Sequence, residues 1–130
     1  MQDFSSSQTI FDFVLPKGLL DSQGNLHRKG KIRLATARDE TMAAKDPRVQ
    51  ENPAYATLVR LSRTIARLGD RSHLEPQELE NLFTVDLAYL CELYNQVNQK
   101  GHPHATVQCP HCQKDVRVDL SNAGEPLATP

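Results

Sequence analysis

The chain has 130 residues, 38% of them hydrophobic and 24% charged, with 15 Lys plus Arg against 16 Asp plus Glu. That length supports one domain with a modest core, and the near-zero net charge gives no electrostatic case for nucleic acid, an anionic membrane or an acidic substrate. Aromatics are 5% with no Trp, too few for a base-stacking platform, and no apolar run approaches the roughly 20 residues that cross a bilayer.

The start, MQDFSSSQTIFDF, lacks the basic and apolar regions of a secretory leader. The three cysteines, two of them in a C-x-x-C, fit a reducing compartment, so a soluble, cytoplasmic protein is expected. Residues 1–8 read as a flexible tail. In TIFDFVLP the apolar side chains Ile10, Phe11, Phe13, Val14 and Leu15 predict a strand that Pro16 stops. DSQGN is a cluster of turn residues, and Ile32 and Leu34 then alternate with charged partners in a second strand. Two or three strands joined by tight loops follow from this pattern.

Thr36 followed by Asp39 resembles a capping arrangement, so ARDETMAAKD predicts a short helix ending before Pro47. The next helix opens at Pro53 and runs to Gly69, with Leu58, Leu61, Ile65 and Leu68 on one face. PQELENLF predicts a third helical piece with Leu79, Leu82 and Phe83 as its apolar contacts. Thr84 is read as the cap of a fourth helix, whose stripe is Leu87, Leu90, Cys91, Tyr94 and Val97 and whose end is Gly101. ATVQ and VRVDL are short strand-like runs on either side of C-P-H-C, and 121–130 is a polar tail.

Cys109 and Cys112 stand at the spacing of a zinc knuckle, in which a tight turn aims both thiolates at one ion and nearby backbone amides lower the thiol pKa values. A closed zinc site takes four ligands, and the second C-x-x-C of a zinc ribbon is absent. His102 and His104 are the local candidates. If 105–108 and 116–119 pair, however, the knuckle sits at the hairpin tip and His104 near its base, about 15 Å away at about 3.3 Å per residue. His111 would point outward. Three accounts stay open: ligands from another chain, a folded-back His-Pro-His segment, or a knuckle that is now only a turn. The metal-free turn is favoured over zinc, and a thioredoxin-like redox role is weaker because no βαβ pattern precedes the motif. If a metal is held at the tip, a second polypeptide is expected to complete its shell.

Other chemistry is sparse. Cys91 is expected in the core. Arg60, Arg63 and Arg67 fall opposite the apolar face of their helix, with Arg71 shortly after, and a solvated charged face is favoured over a basic ridge. Asp39 and Glu40 read as acids of a first helical turn. His27 and His73 have no assignable partner. With no Gly-rich phosphate loop, H-E-x-x-H or G-x-S-x-G, an enzyme is not expected.

Three stretches together carry a resemblance: FDFVLPKGLLDSQGNLHRKGKIRLATARDE, DPRVQENPAYATLVRLSRTIARLG and LFTVDLAYLCELYNQVN. They resemble small tail-assembly or baseplate-associated proteins of contractile phage tails and phage-like contractile injection systems, over roughly residues 10 to 112. The resemblance implies a non-enzymatic assembly factor or baseplate-associated component that acts through protein–protein contacts with tail or baseplate proteins. It rests on overall pattern and carries over no functional residue beyond Cys109 and Cys112. The alternative is a zinc-dependent nucleic-acid-binding or regulatory module.

The expected fold is α+β: an N-terminal β-hairpin or small sheet, a central three- to four-helix core, and a C-terminal β-hairpin with the CxxC knuckle. Residues 9–100 form the core domain and 101–120 the hairpin. Zinc is the only cofactor considered, at Cys109 and Cys112. A homo-oligomer is left open, nucleic acid is not favoured, and no membrane partner is expected.

Overall fold

The computed structural model describes residues 9–122. Strands β1 (Ile10–Leu20) and β2 (Leu26–Arg33) form an antiparallel hairpin, and β3 (Ile65–Leu68) pairs antiparallel with the free edge of β2, giving the sheet order β1-β2-β3. The turn of the hairpin is organised by Asp21, whose carboxylate accepts the backbone N–H groups of Gln23 at 2.8 Å and Asn25 at 2.9 Å. This is the local bonding that makes Asp a turn residue.

Pro16 does not stop β1. The strand continues to Leu20 through a bulge, with the pairing shifting from Val14↔Lys29 to Leu19↔His27. A bulge is where a strand tolerates proline, which has no N–H for the ladder. The groups released from the ladder find side chains instead: Arg28 Nε donates to the Leu15 carbonyl at 2.9 Å, and the Lys17 and Gly18 N–H groups donate to Asp86 at 2.8 and 3.1 Å.

The helix expected to reach Gly69 ends at Thr64, and Ile65–Leu68 is strand. A second bulge explains the misreading. Ile32 faces Ile65 and Gly30 faces Leu68, so one more residue lies between the partners on β3 than on β2. The extra residue turns Ile65 and Leu68, three apart, onto the same buried face, and a spacing of three also looks helical. Gly30 permits this close pairing, because a Cβ there would run into the Arg67 carbonyl and the Phe13 ring. Gly30→Ala is expected to cost about 2 kcal/mol, within the range for overpacking, seen as a lower urea midpoint with an unchanged slope.

Helix α1 (Ala37–Lys45) starts at a capping box in which Thr36 and Asp39 each accept the other's backbone N–H. After α2 (Pro47–Glu51) and a 3-10 turn at Pro53–Tyr55, α3 (Ala56–Thr64) buries Ala56, Val59, Leu61 and Thr64. The third helical piece is shorter than expected, a single turn, α4 (Pro76–Leu79), and Phe83 is exposed rather than packed. In α5 (Thr84–Lys100) the cap position is Phe83, not Thr84. Its buried residues are Asp86, Leu90, Leu93 and Val97, while Cys91 is only partly buried. Gly101 ends it in the left-handed region, φ 79°, where the absence of a Cβ removes the usual penalty.

One apolar cluster joins the layers, with Phe11, Phe13, Leu15 and Ile32 of the sheet meeting Leu61 of α3, Leu79 of α4 and Leu90, Leu93 and Val97 of α5. Beyond α5, β4 (His104–Gln108) and β5 (Asp115–Asp119) pair antiparallel and a 3-10 turn follows at Leu120–Asn122. Leu120 is buried in the main core, and its carbonyl accepts from the Tyr89 hydroxyl at 2.6 Å. The expected tail 1–8, and residues 123–130 of the expected tail 121–130, lie outside the described residues.

Candidate functional site

Cys109 and Cys112 occupy the turn between β4 and β5. The turn is closed by the Cys109 N–H donating to the Lys114 carbonyl at 2.8 Å and the Gln113 N–H donating to the Cys109 carbonyl at 2.9 Å. Gln113 is the only non-glycine residue with positive φ among the described residues, at 63°. The chain thus curls back around the first sulfur. The backbone N–H groups of Cys112 and His111, and then the Cys112 thiol, hold the Cys109 pKa below the ordinary thiol value. N–H groups aimed at sulfur favour the thiolate, the form that binds metal.

The two candidate histidines sit elsewhere. His104 opens β4 opposite Asp119, at the far end of the ladder from Gln108↔Asp115. His102 lies beside it, with ring centroids 5.4 Å apart and its Nδ1 accepting the His104 N–H at 3.1 Å. The structure therefore brings the two cysteines together and leaves these histidines at the base. Among the described residues, no group of three or more His, Cys, Asp or Glu is placed to hold a metal ion.

The sheet end near the β1–β2 turn carries an open concavity of about 680 Å³. Its floor includes Leu19, Leu68 and Leu74, all buried, and its rim includes Leu20 and Phe83, both exposed. A hydrogen-bonded pair and an ion pair border it: His27 Nε2 lies 2.9 Å from Asp21 Oδ2, and Arg71 pairs with Glu78. The His27 contact, first among the bonds to Asp21, lowers that carboxyl to about 2. Sequence reasoning left His27 without a partner. The hairpin register places it opposite Leu19, two residues before Asp21, so the pairing followed from the turn once its length was known.

The arginines do not form a ridge. Arg60 pairs with Glu40 at 3.0 Å, Arg63 with Asp39 at 3.0 Å, Arg71 with Glu78, and Arg67 belongs to β3 rather than to the helix. Asp39, read from sequence as a first-turn acid, is 1% exposed and gathers Arg33, Arg63 and Thr36 around it. His73 is exposed and meets Glu75 at 2.6 Å.

No family model, curated protein or solved structure matches the chain. Among the described residues, no helix is long and apolar enough to cross a membrane.

Proposed function

We propose that this chain is a non-enzymatic assembly factor or baseplate-associated component of a phage-like contractile tail or injection system, acting in the cytoplasm through protein–protein contacts. The resemblance over residues 10 to 112 supplies the system. The mode of action is supported by one observation above the others: Leu20, Leu26 and Phe83 keep 53%, 53% and 54% of their surface in water at one end of the sheet. Leu20 and Leu26 are cross-strand partners, and Leu20 and Phe83 border the same concavity. Large apolar side chains grouped beside a hollow with a charged rim have the composition of a contact face. The C-terminal hairpin with its CxxC knuckle completes the α+β fold in this reading and is not part of the contact face.

Co-expression with the tube, sheath and baseplate proteins of a contractile system, followed by affinity capture and mass spectrometry, tests the proposal. At least one tail protein is expected to be retained. The double variant Leu20→Asp, Phe83→Asp is expected to retain about tenfold less without a lowered unfolding midpoint, because both side chains are exposed and Asp suits the helix-cap position that Phe83 holds. Capture of no tail protein by the natural chain, or equal capture by the double variant, would remove the reading. A zinc-dependent nucleic-acid module would instead show binding that weakens steeply with salt, yet three of its four ridge arginines are already engaged by carboxylates.

A further inference from the structure

The half-shell at the hairpin tip is the feature that neither the core nor the apolar face accounts for. Cys109 and Cys112 share one tight turn there, closed by the Cys109 N–H on the Lys114 carbonyl and the Gln113 N–H on the Cys109 carbonyl. Zinc in a closed site takes four ligands in a tetrahedron, with Zn–S bonds of about 2.3 Å. His104 cannot supply one. From His104↔Asp119 to Gln108↔Asp115 the ladder runs four steps, about 13 Å at about 3.3 Å each. The fold therefore presents two ligands at an exposed tip and keeps the nearest histidine pair at the opposite end.

We infer that two copies of this chain share one zinc ion at their hairpin tips, bound by Cys109 and Cys112 of each copy. A two-fold axis through the ion sets one pair of sulfurs across from the other, which is compatible with a tetrahedron, and such an isologous contact closes at two. Each thiol gives up its proton to solvent on ligation, so four thiolates around a dication carry a net double negative charge. Lys114 and Asp115 at the tip end of the ladder offset each other, and Arg117, opposite Thr106 in mid-ladder, is the next cation along β5. Apolar contact is available as well. Val118 packs on the core, while Val116, on the same strand face but nearer the tip, is 46% exposed. The proposal is independent of the contractile-tail reading, since it names a second copy and not a tail protein.

The test uses the reduced, metal-free full-length chain, with zinc chloride as the probe and native mass spectrometry together with light scattering as readouts. Zinc is expected to double the mass, with one ion per two chains, and a chelator is expected to reverse this. Cobalt substitution should give the charge-transfer intensity of four thiolates. Cys109→Ser and Cys112→Ser should each abolish the zinc-dependent dimer. Chelation of the natural chain reads the same equilibrium should a variant fold poorly. One zinc per monomer, no zinc bound, or a dimer indifferent to chelator and to both substitutions would each overturn the inference.

Discussion

Asp39→Asn is expected to lower stability by about 3 kcal/mol. The carboxylate accepts hydrogen bonds from Nη1 and Nη2 of Arg33 at 2.8 and 2.9 Å, Nε of Arg63 at 3.0 Å and the Thr36 N–H at 2.7 Å. It thereby ties β2, α1 and α3 together. Removing one partner of a buried pair costs roughly 3–5 kcal/mol, because the remaining charges stay desolvated without compensation. The lower end applies here, since the Arg33 and Arg63 side chains keep 34% and 30% of their surface in water, which screens them.

The same carboxylate makes stability depend on acid. Hydrogen bonding from Arg33 is the main reason that its folded pKa lies well below the ordinary carboxylate value. A depressed folded pKa contributes stability that is complete above the unfolded value, about 3.9, and is lost as pH falls below it. Asp21 and Asp46, both lowered to about 2, act in the same direction. The difference between the natural chain and Asp39→Asn isolates Asp39. Urea unfolding should show that difference constant from neutral pH to about 5 and shrinking towards pH 3. A difference that widened in acid would contradict the assignment.

Asp86→Ala is expected to cost a comparable amount, about 3 kcal/mol, for a different reason. Asp86 is fully buried in the first turn of α5, and its two oxygens accept the N–H groups that the β1 bulge withdraws from the ladder. Each N–H left without a partner costs roughly 1–3 kcal/mol, and an acid lost from a helix N-terminus adds about 0.3–1. Asp86→Asn, which keeps one acceptor oxygen, should lose about half as much. Amide hydrogen exchange at Lys17 and Gly18 should speed up in the alanine variant before other β1 amides do. Because this contact fastens the end of β1 to the start of α5, it also sets Leu20 relative to Phe83. Capture of a tail protein should weaken with Asp86→Ala even under conditions where the variant is folded.

Several features were legible in the residues themselves. The DSQGN turn, the Thr36–Asp39 capping box and the Gly101 helix end are all settled within a few positions of one another. The β3 strand was not legible, since its bulge imitates helical spacing and its partner edge lies 30 or more residues earlier. Phe83 looked like core because apolar character alone does not tell a packed ring from one left beside a concavity. For the candidate site, the spacing of Cys109 and Cys112 named the pair. Where the histidines stand depended on the register of β4 against β5.

By itself, then, the sequence determined some local conformations: the DSQGN turn, the Thr36–Asp39 capping box and the Gly101 helix end are decided by neighbours, and so is the cysteine spacing. Only the tertiary structure decided which polar groups are indispensable. Asp86 meets Lys17 across 69 positions and Arg63 meets Asp39 across 24, and burial at those meetings turns ordinary acids into ties between elements. The reason is physical: a carboxylate in water interacts weakly with distant cations, whereas one removed from water must be satisfied by whatever the fold brings to it.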